Sequence, residues 1–303
     1  MSKKGTLASI VKHHRLYVLL LPAIIYFAVF HYAPLYGVQI AFKDFNAGKG
    51  ILGSEWVGFE HFLQFFKSYY FTTLLRNTLW ISFYTLLVGF PIPIILALMF
   101  NEVINKKFKK TVQLITYAPH FISTVVMVGI LVIFLSPSTG VINQLIKIFG
   151  GESVFFLGEA KLFPTVYVLS DVWQHAGWNT IIYTAALSSI NTELYEAARI
   201  DGANRFQKMI HIDLPGIAPM IVIMLMLNVG SIMNVGFEKV FLMQNQLNIE
   251  TSDIISTYVY KRGLLEAQYS FSAAVGLFNS VVNFVLLISV NFLSGKIGET
   301  TLW

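Results

Sequence analysis

Six stretches of this chain stay apolar for about the length of a bilayer, roughly residues 16–41, 74–100, 112–135, 163–187, 216–236 and 272–294. A helix of about 20 apolar residues crosses the hydrocarbon layer, so the pattern predicts an all-α integral membrane protein with six transmembrane helices. The first run follows Lys3, Lys4, Lys12 and Arg15, as a secretory leader would. It is longer than a leader's apolar core, and no small-x-small cleavage pattern follows before Lys43, so it is expected to be a retained span. The expected organisation is an N-terminal span with an external segment over residues 1–69, then a five-span core over residues 70–303. A polar loop at 192–215 lies between spans four and five.

Charge sets the expected orientation. With the N-terminus inside, segments 1–15, 101–111, 188–215 and the tail after 294 hold twelve of the 21 lysines and arginines, including Lys106, Lys107, Lys109 and Lys110 in one short loop. Basic residues favour the cytoplasmic side, which gives both termini inside and puts 192–215 in the cytoplasm. The external segment 45–70 is aromatic, and Phe59, Phe62, Phe65 and Phe66 fall at helical spacing. It is read as a short amphipathic piece along the interface, serving either packing or contact with a solute-carrying partner.

The 192–215 loop reads as two short helices. Thr192 suits an N-cap, and Glu193 and Glu196 are expected in the first turn, where carboxylates complement the helix dipole. Leu194, Ala197 and Ala198 form a small apolar face. Gly202, after Asp201, can take positive φ and end the helix. A second helix with Phe206, Met209 and Ile210 on one face then leads to Leu214-Pro215, and Pro215 suits the start of the fifth span. Alanines allow another surface to approach closely, and a glutamate offers it an ion pair.

Taken together, Glu196-Ala197-Ala198, Gly202, Ile212 and Leu214-Pro215 resemble, position for position, the signature loop of binding-protein-dependent ABC importer permeases of the MetI-like fold. In that family the loop is a coupling helix seated in a cleft of a separate ATPase. The resemblance implies that Glu196 pairs with a basic residue of the ATPase, that Ala197 and Ala198 permit close seating, and that Asp201 and Gly202 set the turn. Ile212, Leu214 and Pro215 would complete the coupling element.

It also implies a cytoplasmic ATPase dimer that binds ATP and magnesium, a second related permease subunit and an extracellular solute-binding protein. The setting would be a bacterial cell membrane, with this chain in contact with lipid. No GxxxxGK[ST] phosphate loop occurs here, so no cofactor is expected in this chain and no catalytic residue is assigned.

A narrower resemblance rests on Leu21-Pro22, Phe42-Lys43-Asp44-Phe45, Trp56-Val57-Gly58-Phe59-Glu60-His61-Phe62, Asn77-Thr78-Leu79, Pro91-Ile92-Pro93 and Tyr117-Ala118-Pro119-His120-Phe121. These are similar to carbohydrate-type importer permeases, most of all the branch for oligosaccharides and polysaccharide fragments, including uronate-containing ones.

Polar groups inside apolar spans must find partners or line a cavity. The candidates are Asp171, Gln174, His175 and Asn179 around the fourth span, Asn228 and Asn234 in the fifth, and Asn279 and Asn283 in the sixth, with Trp173 and Trp178 as rings. They read either as a partial sugar pathway or as interhelical hydrogen bonds with an interfacial tryptophan belt. Pro91 and Pro93 predict a bend or an opened backbone in the second span.

Composition agrees: the 303 residues are 55% hydrophobic and 12% charged, against about 25% charged in ordinary soluble domains. The chain has no cysteine, which excludes disulfides and thiolate chemistry. Its formal charge of +5 gathers at the ends of apolar runs, not in a stripe suited to nucleic acid. The histidines lack metal-binding spacing.

Two rival classes fit less well. A polytopic membrane enzyme would have only Asp171 with His175 at i, i+4 as a hint of chemistry, and an ion-coupled transporter would need buried carboxylates that spans two, three, five and six almost entirely lack.

Overall fold

A computed structural model of the chain describes residues 13–297 together with Thr301 and Leu302; Lys3, Lys4 and Lys12 of the charge argument lie outside them. The chain divides into two compact units. One comprises the described residues up to Phe66 with Arg262–Leu277, and the other Lys67–Lys261 with those from Phe278 onward.

In the first unit, α1 (His14–Phe27) continues through a π turn at Ala28–Tyr32 and a 3-10 stretch at Ala33–Phe42. This makes a 29-residue apolar helix. No side chain of α1 is buried, as expected for a helix whose neighbours are lipid or other chains. The segment that follows departs from the all-helical expectation. Lys43–Asp44 (β1) pairs antiparallel with Glu55–Trp56 (β2), and the turn between them uses Gly50 at φ 65°, a conformation that favours glycine. The Phe42 ring stacks on Trp56 at 5.7 Å and meets Phe59 and Phe62. The expected aromatic helix is α2 (Glu60–Lys67), with Phe65 buried.

The second unit is built around one long helix. In chain order come α3 (Phe71–Gly89), α4 (Pro91–Glu102), α5 (Lys106–Tyr117), α6 (Thr124–Phe134), α7 (Val141–Ile148), α8 (Phe163–Leu187), α9 (Thr192–Ile200), α10 (Arg205–Lys208), α11 (Leu214–Gly230), α12 (Phe237–Met243), α13 (Ile255–Tyr260) and α14 (Tyr269–Ile297). The last of these begins in the first unit. Helix α8 has the expected bounds and packs against α3, α4, α5 and α11. Gly177 on α8 is needed where it crosses α5, because a Cβ there would lie 2.0 Å from the Thr116 carbonyl oxygen. Small residues let membrane helices approach this closely.

Two spans are not the straight helices the hydropathy pattern suggests. The third is broken: the helical stretch Lys106–Phe121 bends by 102° into Thr124–Phe134. Pro119 removes a backbone donor at the break, and Ser123 accepts from the Val126 amide to cap the next helix. The fifth has Pro215 in the first turn of α11, as expected, but the helical run starts further back. Arg205–Gly230 is one 26-residue helical run, with a π turn at Met209–Asp213 just before Leu214 and Pro215. The wider turn accommodates a proline inside a continuous helix.

Among the described residues four helical runs are long and apolar enough to cross a membrane: His14–Phe42, Phe71–Glu102, Arg205–Gly230 and Tyr269–Lys296. The bent pair adds a fifth when counted as one span. Helix α8, of 25 residues, is long enough but more polar, because one of its faces looks into a cavity.

Candidate functional site

The second unit carries two sites that the sequence singles out, and the first is the loop. Asn191, not Thr192, caps α9, accepting from the Glu193 amide at 3.0 Å. The shift of one residue leaves only Glu193 in the first turn and moves Glu196 into the second. The reason is backbone geometry: Asn191 is still extended, as a capping residue must be, whereas Thr192 is already helical.

The helix ends as expected at Gly202, with φ 76°. The Ala203 amide donates to Ala198 O at 2.8 Å and the Gly202 amide to Arg199 O at 3.1 Å, the paired bonds of a Schellman ending, with Asp201 at the C-cap. Asn204 and Gln207 then bond each other's backbone amides to start α10.

Glu196, Ala197, Asp201, Gly202 and Pro215 are exposed, while Ala198, Ile212 and Leu214 are half-buried. Leu194, Ile200 and Phe206 are also exposed, Ile200 at 87%, so the outer surface of the loop mixes large apolar side chains with the exposed charges of Glu193, Glu196, Arg199 and Asp201. Tyr195 points inward and donates to the Asp213 carboxyl. Burial, and then that hydrogen bond, pushes its hydroxyl up to about 12, so it stays protonated and donates at neutral pH.

The second site is a cavity of about 380 Å³ between α3, α4, α8, α11 and the break that follows α11. Helix α8 contributes Tyr167, Asp171, His175 and Asn179 at steps of four, hence on one face. Asn228 and Asn234 line it from the other side, and Ser82 and Thr85 from α3. Asp171 is the charged centre, with Oδ1 3.4 Å from His175 Nδ1 and 3.4 Å from Lys239 Nζ. Lys239, on α12, is 4% exposed. It also donates to Tyr167 O and lies 4.9 Å from the centre of the Tyr167 ring. The ring's hydroxyl accepts from the Gly236 amide.

Of the sequence candidates, Asp171, His175, Asn179, Asn228 and Asn234 meet at this cavity, and the others lie elsewhere. Trp173 is turned away from it and 52% exposed, because two residues along a helix is more than half a turn from Asp171. Gln174 is buried and donates to Ile122 O at 2.9 Å, satisfying the carbonyl freed where the third span breaks. Trp178 stacks on His120 at 4.5 Å beside the same break.

Asn279 and Asn283 both donate to Asn234 Oδ1, at 2.9 and 3.1 Å, and Asn283 Oδ1 accepts from the Met233 amide. They knot α14 to the break after α11 and reach the cavity only through Asn234. Sequence reasoning missed Lys239, Ser82 and Thr85. The only signal for Lys239 was a lysine set directly before the apolar Val240-Phe241-Leu242-Met243. Among the described residues no three His, Asp or Glu side chains converge as a metal site requires.

A family model described as "Binding-protein-dependent transport system inner membrane component" matches residues 89–299. Two proteins of Bacillus subtilis (strain 168) are each 44% identical over 297 residues, 98% of this chain: Protein LplB, covered over 93% of its length, and the polygalacturonan/rhamnogalacturonan transport system permease protein YteP, covered over 92%.

Among solved structures, a chain of a bacterial ABC transporter involved in the import of the acidic polysaccharide alginate superposes with a TM-score of 0.89 at 44% identity, covering 97% of this chain and 99% of that one. The alginate transporter in complex with an alginate pentasaccharide-bound periplasmic protein matches with the same TM-score and coverage at 43% identity. With the loop and the cavity-lining helices in place, this chain belongs to the binding-protein-dependent transport system inner membrane components: it is the permease subunit of an ABC importer, a transport component and not an enzyme.

Proposed function

We propose that the chain is a six-span, N-in/C-in permease that imports an oligosaccharide or polysaccharide fragment, uronate-containing ones included, across a bacterial cell membrane. It works by alternating access with a second, related permease subunit. A solute-binding protein delivers the sugar outside, and a cytoplasmic ATPase dimer holds ATP and magnesium. The observation that carries the coupling half of this reading is the loop surface, where Glu196 and Ala197 stand exposed among Leu194, Ile200 and Phe206. Large apolar side chains left exposed beside a carboxylate and a small residue suit a protein interface better than a solvent face.

Ala198, Asp201, Gly202, Ile212, Leu214 and Pro215 shape that surface and join it to the fifth span. The count of six includes α8 as the fourth span, its polar face turned to the cavity. Asp171, Asn179, Asn228 and Asn234 would hold sugar hydroxyls there, while Trp173, Gln174, Trp178, Asn279 and Asn283 act on the pathway through packing. The organisation into a first span with external segment, residues 1–69, and a five-span core, 70–303, follows the family model's start at residue 89 only loosely, and is supported by the hydropathy pattern.

The sugar reading rests on what the relatives transport by name, polygalacturonan and rhamnogalacturonan for one and alginate for the other. The test is uptake by proteoliposomes holding this chain with its second permease and ATPase, supplied with binding protein and a panel of neutral and uronate-containing oligosaccharides. Uptake of an oligosaccharide that needs both ATP and the binding protein is expected. Uptake of amino acids or polyols but of no oligosaccharide would overturn the substrate class.

A further inference from the structure

One buried carboxyl is shared by three parts of the permease. Asp213, at the end of the π turn leading into α11, is 0% exposed. Its Oδ1 accepts from the Tyr195 hydroxyl on the inner face of α9 and from Asn101 Nδ2 near the end of α4, the latter at 3.3 Å. Oδ2 is buried and takes no hydrogen bond from any described residue, so among the described residues these two donors on Oδ1 are the carboxyl's side-chain ties.

Around it, Met209 and Leu214 pack with Ile190, Leu98, Leu187 and the fully buried Ile217. Gly216 lies so near Ile190 that a Cβ would come within 2.5 Å of its Cδ1. A second tie runs in parallel at the surface, where Arg205 Nε lies 3.8 Å from Glu102 Oε2. Packing this tight does not deform continuously, but apolar packing alone lets helices slide. A shared, directional acceptor fixes their register.

We propose that Tyr195, Asp213 and Asn101 form a positioning strut that makes the coupling helix, the end of the second span and the start of the fifth span move as one body. Displacement of α9 by the ATPase then reaches two spans at once, and both of them line the cavity. This rests on the coupling reading of the loop and adds to it the inward-facing half. Glu196 and Ala197 face the partner, whereas Tyr195 hands the movement on. None of the three lines the cavity.

The test is Tyr195→Phe in the assembled transporter, read as solute imported per ATP hydrolysed. The substitution keeps the ring and the outer surface of α9 and removes only the hydroxyl. The ATPase should co-purify in normal amount, while solute imported per ATP falls about tenfold, the equivalent of one lost hydrogen bond to a buried carboxyl. Asn101→Ala should lower the same ratio, and the double variant should fall little further than either single one, because both donors serve one oxygen.

A Tyr195→Phe transporter with the wild-type ratio overturns the strut, as does a loss confined to yield or thermal stability. Should Tyr195→Phe fail to assemble, Asn101→Ala, which spares the Tyr195 bond, decides the matter by the same ratio. The coupling reading has its own arm: a Glu196→Lys transporter that recruits its ATPase normally and imports at the wild-type rate would sink that reading, whatever Tyr195→Phe does.

Discussion

Glu196→Lys is expected to leave the chain in the membrane at its normal level and to abolish solute uptake. Glu196 is exposed on the second turn of α9 and has no part in the packing of the permease, so its replacement should not cost stability. In the proposed coupling surface the same position would be desolvated on seating in the ATPase. Reversing a charge at the centre of an interface leaves the partner's cation unpaired and adds repulsion, a cost of about 2–5 kcal/mol, or roughly 30-fold or more in affinity. Membrane level by immunoblot, ATPase recovered on the purified complex and initial uptake rate check this together. Undiminished uptake would remove Glu196 from the coupling surface.

Asp171→Leu should have the largest effect on stability. Lys239 is 4% exposed, and its partners are the Asp171 carboxylate, the Tyr167 carbonyl and the Tyr167 ring. With the carboxylate gone, an ammonium group is left buried with dipoles alone, a loss on the order of 3 kcal/mol. The corresponding fall in melting temperature of the detergent-solubilised protein is roughly 5–10 °C.

The companion Asp171→Leu/Lys239→Met removes both charges, and replacing a buried pair with apolar side chains is often neutral. The double variant should therefore melt closer to the wild type than the single one. Uptake should stay low in both, because the cavity loses its acceptor at Asp171. A double variant less stable than Asp171→Leu would show that the pair does not hold α12 to α8.

The sequence was most informative where the physics is local. The bounds of α8, residues 163–187, follow from an apolar run ending in small and polar residues. Gly202 was legible because a helix that stops sharply needs positive φ, and it takes it. The membrane class followed from the length of the apolar runs alone.

What failed was long-range or directional. Hydropathy averages over a window and has no sense of direction, so the 102° break in the third span left no mark beyond Pro119. The cap at Asn191 in place of Thr192 is a choice between two neighbouring cap formers that only backbone geometry decides. Asp171 with His175 was visible as an i, i+4 pair, but Lys239 is 68 residues further on, and nothing local announces such a partner. Trp173 and Gln174 were grouped with Asp171 by closeness in sequence, yet the turn of the helix sends them to other faces. The cavity is therefore narrower in membership than a cluster of polar letters suggests.

That this permease works only in a complex driven by an ATPase in trans can be checked by purifying the chain from native membranes in mild detergent after crosslinking, then assaying ATP hydrolysis on the product. Recovery of a second permease and an ATP-hydrolysing subunit is expected, with the latter lost in Glu196→Lys. A chain that is recovered alone after crosslinking, with no ATP hydrolysis, would contradict the importer mechanism.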